Sequence, residues 1–465
     1  MRVIICFAFM LLAACTPKLE PGQVMTTQGI VEGKAEQGLT AYLGLKYAVA
    51  ERWAAPIATP KAKGVTMLDT YGPACPQARQ GGIGEQIMTE DCLYLNVFTP
   101  EGADGDANYP VMVVFHGGGF VAGAGGAGGA ALARDGVVVV TFNYRLGALG
   151  FYDWAGWGPN DIRNFALLDQ IEVLKWVQAN IKGFGGNPDD VTIAGHSAGG
   201  MSVQLMMINP LAKGLFHKAV ARAGYANWPF PKALNPSAKT RETLRIGSLE
   251  SLKEKPLAEV AASTPHFIIP YVGGPQISDQ PMALFRSGGA AKVPYISGAN
   301  SYDGNGVLYG AGFTPESFLK RYEAANDTIR ALYQGDFKTS DKQAAQRLFG
   351  DARYLSSARE TVRAQNANGA PAYLYYVNAS VPGMPGTPHG AENSLLWSPN
   401  PNPMKKYWLN FIRTGDPNSA DLPVWGVHTK DTGQWMVFDP LAKPAENLLT
   451  EKLNFLENYR GEAAE

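Results

Sequence analysis

The sequence predicts an α/β protein with a doubly wound, mostly parallel central sheet flanked by helices. Three long runs, YPVMVVFHGGGF (109–120), GVVVVTFNYRLG (136–147) and DVTIAGHS (190–197), are apolar nearly throughout rather than alternating. Such runs suit strands buried on both faces. Helical spacing appears between them, as in NFALLDQIEVLKWVQANIKGFGG (164–186), which ends in Gly. Strand and helix therefore alternate, the pattern of a parallel sheet covered on both sides.

The other elements follow in order. VMTTQGIVEG (24–33) reads as an edge strand or hairpin, and LYLNVFTP (93–100) as a strand ended by Pro. KAVARAG (218–224), KVPYISGAN (292–300), PAYLYYVN (371–378) and QWMVFD (434–439) complete the predicted strands. AGGMSVQLMMIN (198–209), DKQAAQRLFG (341–350), ARYLSSARETVRAQNANG (352–369) and MKKYWLNFIRTG (404–415) are the later helices. Residues 225–290 are poorly periodic and rich in Pro and Gly, so a cap or loop insertion is expected there. A chain of 465 residues, 46% hydrophobic and 17% charged, can bury a large core. We expect one domain over residues 23–460. Formal net charge is −1 with no basic block, which argues against nucleic acid as a partner. Oligomeric state is not legible.

The N-terminus MRVIICFAFMLLAAC has one Arg, an apolar run of signal-peptide length and then small residues. Leu12-Ala13-Ala14-Cys15 resembles a bacterial lipobox, with TPKLEPG after it as a tether. We expect a signal peptide over 1–14, a lipidated Cys15 and a tether over 15–22. The protein would then be exported and held to a bacterial membrane, most simply the outer one, by lipid alone. Cys75 and Cys92 remain as a pair in an oxidising compartment, where a disulfide is the natural reading.

The chemistry centres on GHSAG (195–199). Ser197 lies between a predicted buried strand and a predicted helix, the context of a nucleophile held on a sharp turn. Gly195 and Gly199 flank it because that turn leaves no room for side chains. The Ala198 N–H, at a helix N-terminus, points to where an oxyanion would form. His116-Gly117-Gly118-Gly119-Phe120 also sits at a strand end, and consecutive glycines let the N–H groups of Gly118 and Gly119 approach a substrate oxygen. A nucleophilic serine needs a base, and the base needs a carboxylate, in the chain order Ser, acid, His. His389, in the loop PGMPGTPHGAENS, is the base candidate, and Asp303, in GANSYDGNG after a strand, is the acid. Asp279 is the rival acid. His217 reads as structural, and His266 and His428 lack supporting context. The histidines lack paired spacing, so no metal is expected, and no phosphate or dinucleotide fingerprint calls for a cofactor.

These residues resemble the type-B carboxylesterases, an α/β-hydrolase-fold group that includes the cholinesterases, here in a bacterial lipoprotein form. Glu90-Asp91-Cys92-Leu93-Tyr94-Leu95-Asn96-Val97 matches the family's signature EDCLYLNV. Supporting stretches are LGLKYAVAERWAAP (43–56), NYRLGALGF (143–151), 167–199 and YWLNFIRTGDPN (407–418), and the resemblance spans roughly 24–440. It implies the Cys75–Cys92 bridge, the triad Ser197, Asp303 and His389, and the oxyanion donors Gly118, Gly119 and Ala198. It also implies hydrolysis of carboxylic esters through an acyl-enzyme. A non-catalytic adhesion protein, or a carbamate or amide hydrolase on the same triad, is the alternative. The chain departs from the family at three places. His196 replaces the usual Glu before the serine, which predicts weaker preference for choline-like esters. Asp303 replaces the usual Glu. Ala223-Gly224-Tyr225 replaces a serine-bearing stretch, so a supporting hydroxyl is expected to be missing. Phe120, His196, Trp228 and Phe313 are the pocket candidates, with Trp154 and Trp157 evenly balanced between pocket and packing. An apolar, weakly charged pocket for small or aromatic uncharged esters is the resulting expectation.

Overall fold

The computed structural model describes residues 18–77, 87–152, 163–232, 251, 253–262 and 267–459. Its strands are β1 (Gln23–Thr26), β2 (Gly29–Glu36), β3 (Leu39–Lys46), β4 (Ala48–Val49), β5 (Ile57–Ala58), β6 (Val65–Leu68), β7 (Tyr94–Pro100) and β8 (Tyr109–Phe115). The later ones are β9 (Val138–Phe142), β10 (Gly186–His196), β11 (Lys218–Arg222), β12 (Tyr295–Asn300), β13 (Ala372–Val377), β14 (Gln434–Asp439) and β15 (Leu441–Glu446).

One large sheet runs in the order β1-β2-β3-β7-β9-β8-β10-β11-β12-β13-β14-β15, with β6 beside β2. From β9 through β8 and β10 to β14, every neighbouring pair is parallel. Antiparallel strands extend both ends: β7, β3, β2 and β1 at one, β15 at the other. β4 and β5 form a separate hairpin.

Every residue of β9, β11, β12 and β13 is buried, as unbroken apolar runs require. The strand period divides them between two cores. Val111 and Val113 of β8 face a core with Leu174 and Val177 of the helix Phe165–Asn180, while Met112 faces Trp408 and Phe411 of the helix Pro403–Thr414. Helices thus cover both faces, as predicted. The buried pair Arg145–Asp169 ties the loop after β9 to the helix that follows, with Arg145 Nε and Nη2 donating to the two carboxylate oxygens at 2.9 and 2.7 Å. A disulfide joins Cys75 and Cys92.

β3, β6 and β15 were not evident as strands in the sequence. In β3 a bulge between Tyr42 and Leu45 breaks the alternation. Gly44 sits in that bulge at φ +77°, where a Cβ would lie 2.4 Å from Thr70 O. β15 carries Pro444, which an edge strand tolerates. Within 225–290, the structure forms the short helices Leu257–Ala262 and Pro281–Arg286.

The site-forming loops leave the carboxyl ends of β8, β10, β11, β12 and β13. Ligands bind at this edge in open parallel sheets, where strand order reverses.

Candidate active site

Ser197 follows β10 at φ 60°, ψ −122°, and caps the helix Ala198–Ile208. A non-glycine residue in that conformation is strained and is held by its surroundings. Here the Ser197 N–H donates to Arg222 O at 2.9 Å, and Ser197 O accepts from Met201 N–H at 2.8 Å. The flanking glycines are required by packing. A Cβ on Gly195 would lie 2.3 Å from Gly199 O, and one on Gly199 would lie 2.0 Å from Phe115 O. The GHSAG turn is thus the junction of three strand ends, those of β8, β10 and β11, and one helix.

The glycine loop after β8 lies against this turn. A Cβ on Gly117 would lie 3.4 Å from Ser197 Cβ. Gly118 and Gly119 have φ of +108° and +65°. Among the described residues, the N–H groups of Gly118, Gly119 and Ala198 find no protein acceptor. His116 steadies the loop's start. Its Nδ1–H donates to Gly117 O at 2.8 Å, and its ring stacks on Tyr144 at 4.1 Å. Burial pushes its pKa down to about 4, so it is neutral at pH 7. Phe120 is fully buried against Phe151 at 5.0 Å. It props the loop from behind and is not a pocket wall, a correction to its predicted place.

Asp303 follows β12 and His389 lies in the loop after β13. His389 Nδ1–H donates to Asp303 Oδ1 at 2.7 Å. Asp303 is 1% exposed, and its Oδ2 accepts from the Asn300 N–H at 2.8 Å. The second bond to Asp303 thus comes from backbone. Asp279 is exposed and caps Gln280 N–H. His217 accepts from Val191 N–H, and the buried His428 donates to Gln434 O. None of these three belongs to the site. His266, Trp154, Trp157 and Cys15 lie outside the described residues.

The His389 ring sits between His196, at 4.4 Å, and Tyr354, stacked at 5.0 Å. His196 packs against the His389 ring and also lines a cavity with Gly117, Arg222 and Trp397. Burial, then His389 and Arg222, hold its pKa well below the usual range, so it stays neutral. Its Nε2 lies 3.5 Å from Glu392, a buried carboxylate that accepts from Asn300 Nδ2 at 2.5 Å. Burial raises the Glu392 carboxyl, and the Arg222 guanidinium opposes that rise. His196, Asp303 and His389 have ligand atoms within 4.8 Å of one another, a spacing that a metal ion could bridge. The Asp303–His389 hydrogen bond already engages two of the three residues.

Trp228 and Phe313 are half-buried and meet at 6.4 Å, in the cluster where the pocket was expected. Tyr225, Phe267, Arg353 and Tyr354 pack together beside Trp228, and no local pattern marks them in the sequence. Phe267 would touch a Cβ on Gly119 at 2.9 Å. Burial pushes the Tyr354 phenol well up, while Arg353 and Ser197 act against the rise. Arg353 places a buried charge within an aromatic cluster. Its position within a helical run gave no hint that it faces rings instead of solvent.

A parallel sheet that presents an elbow serine, a glycine-loop donor set and a buried His–Asp pair at one edge has the α/β-hydrolase fold. Within that class, the chain belongs to the carboxylesterase family, whose model matches residues 20–456. It is 31% identical to carboxylesterase 4A of Bos taurus, over 92% of this chain and 93% of that protein. It is 30% identical to the medium-chain fatty acyl-CoA hydrolase precursor of Anas platyrhynchos, over 96% and 93%. A solved PNB esterase superposes with a TM-score of 0.79 at 26% identity, covering 93% of this chain and 99% of that one. A Geobacillus stearothermophilus carboxylesterase gives 0.80 at the same identity and coverage. The protein is a carboxylic ester hydrolase.

Proposed function

We propose that Ser197 is the nucleophile, His389 the general base and Asp303 the group that orients His389. The observation that carries this reading is the 2.7 Å His389–Asp303 hydrogen bond at the same sheet edge as the Ser197 elbow. A carboxylate on Nδ1–H fixes the tautomer, which leaves Nε2 to accept the serine proton. Ser197 Oγ then attacks the ester carbonyl carbon. The N–H groups of Gly118, Gly119 and Ala198 stabilise the oxyanion, each worth a factor of about 10² to 10³. The C–O bond to the alcohol breaks as His389 returns the proton to the leaving oxygen. Water, deprotonated by His389, attacks the acyl-enzyme, releases the acid and restores Ser197.

The test follows p-nitrophenyl esters from acetate to octanoate. Ser197→Ala is expected to lose roughly 10⁴- to 10⁶-fold in kcat while staying folded. An organophosphate should label Ser197. Label on another residue, or turnover intact in the variant, would remove Ser197 from the mechanism.

We also propose that the chain is exported, cut before Cys15 and lipidated there, with residues 23–460 forming one domain. The apolar N-terminal run ending in Cys15 supports this reading, and among the described residues no helix is long and apolar enough to cross a membrane. Stable anchoring then needs more than one acyl chain. Mass spectrometry should find an acylated N-terminal Cys15, and Cys15→Ser should shift the protein from membrane to soluble fractions. An unmodified Cys15 inside an intact N-terminus would end that proposal.

A further inference from the structure

Arg353 differs from other buried arginines of the protein. Arg145 is held by Asp169, Arg222 by Glu392 and Asn393, and Arg359 by Glu457 and Asn454. Arg353 is 1% exposed, yet among the described residues no carboxylate reaches it, and its Nε and Nη2 have no hydrogen-bond partner. Asp351, its nearest acid along the chain, accepts instead from the Tyr333 hydroxyl at 2.9 Å.

Five aromatic rings surround the guanidinium. Cζ lies 4.2 Å from the ring centre of Tyr225, 4.3 Å from Phe267 and 4.8 Å from Trp228, with Phe349 and Tyr354 at 5.6 and 5.7 Å. Ring faces attract the cation, but they do not satisfy N–H donors in the guanidinium plane. The cage also borders the reaction centre. Tyr354 stacks on His389, and Phe267 abuts Gly119 of the glycine loop. Arg353 and Tyr354 stand on a single π-helical turn, Asp351–Leu355, a distortion that recurs at functional sites.

We propose that Arg353 is a specificity-determining residue whose Nε/Nη2 edge receives a carboxylate carried by the ester, so that half-esters of dicarboxylic acids and similar carboxylate-bearing esters are preferred over neutral ones. The same edge of Arg145 already holds Asp169 side-on in this molecule, at 2.9 and 2.7 Å. A planar guanidinium matches a carboxylate in this bidentate way, and exclusion of water strengthens the pair. A quaternary ammonium ester would meet a like charge, the same direction of preference that His196 predicts. The proposal rests on Ser197 as the nucleophile.

The experiment measures kcat/KM by pH-stat for monomethyl esters of succinate through suberate against methyl butanoate through octanoate. O-acetyl hydroxy acids against neutral acetates test a carboxylate on the alcohol side. For the wild type, at least one charged ester should exceed its neutral match by roughly tenfold or more. Arg353→Met should bring that ratio toward one, and Arg353→Lys should keep part of it. Because the ratio is taken within one enzyme, a general loss of activity does not mimic the effect. A wild-type ratio at or below one for every pair, or an unchanged ratio in Arg353→Met, overturns the proposal. Should wild type turn over no ester at all, the Ser197 reading fails separately. Calorimetric binding of monomethyl adipate to Ser197→Ala, absent in Ser197→Ala/Arg353→Met, then still tests the Arg353 site. If neither variant of Arg353 folds, that titration on Ser197→Ala alone decides: no binding of the half-ester overturns the proposal.

Discussion

Ser197 and the glycines near it are set by backbone, whereas Asp303, His389 and Arg353 are set by side chains from segments far apart. On the first side, main-chain contacts decide identity. Gly118, Gly195 and Gly199 leave no room for a Cβ, and Ser197 is locked at positive φ by strand ends that already pair. On the second side, the partners are chosen one bond at a time. Asp303 answers His389 across 86 positions of sequence, and the rings around Arg353 come from the loop after β11, the segment around Phe267, the helix Asp341–Gly350 and the turn Asp351–Leu355. The backbone half supplies chemistry common to acyl transfer. The side-chain half depends on contacts that one substitution can remove without moving the sheet.

Asp303→Asn is the harsher way to test this division. Asp303 accepts two hydrogen bonds, from His389 Nδ1–H and from Asn300 N–H. An amide has one oxygen, so it either turns its NH₂ toward a donor or forces His389 into the wrong tautomer. A loss of roughly 10³- to 10⁴-fold in kcat is expected, with KM changed far less. Circular dichroism should stay unchanged, because the carboxylate belongs to the site and not to a core. If kcat falls less than about tenfold, Asp303 is not the partner that the base depends on.

That division also explains what was legible in the sequence. The parallel strands β8, β9 and β10 stood out because burial on both faces leaves long apolar runs. β3 did not, because the bulge at Gly44 shifts its pattern within the strand. Ser197, Gly118 and Gly119 were readable as candidates because their motifs are contiguous residues at strand ends. His389 and Asp303 were reachable only through chain order and loop context. Phe120 was placed in the pocket because it adjoins the glycine loop, but its ring turns back into the core, and one-dimensional adjacency does not encode direction. Arg353 left no signal. A basic residue in a helical run normally faces water, and nothing local says that rings from distant loops enclose this one.

The glycine loop permits a finer test with a control inside the same segment. A Cβ on Gly118 would lie 2.0 Å from Ala122 O, at a φ of +108° that alanine rarely adopts. The main chain would have to shift, and the Gly118 N–H would shift with it. Gly126, a few residues on in GAGGAGGA, has nothing within 4 Å of a built Cβ. Gly118→Ala is therefore expected to cost about 10² to 10³ in kcat, the value of one oxyanion donor. Gly126→Ala should leave kcat within about twofold, as surface changes away from such features usually do. Steady-state kinetics on a neutral p-nitrophenyl ester, with melting curves alongside, separate the two. Equal losses would mean that flexibility of the whole loop matters, and not the position of one amide. A loss confined to Gly118 ties catalysis to a fixed N–H, which is the property that makes this half of the site readable from sequence.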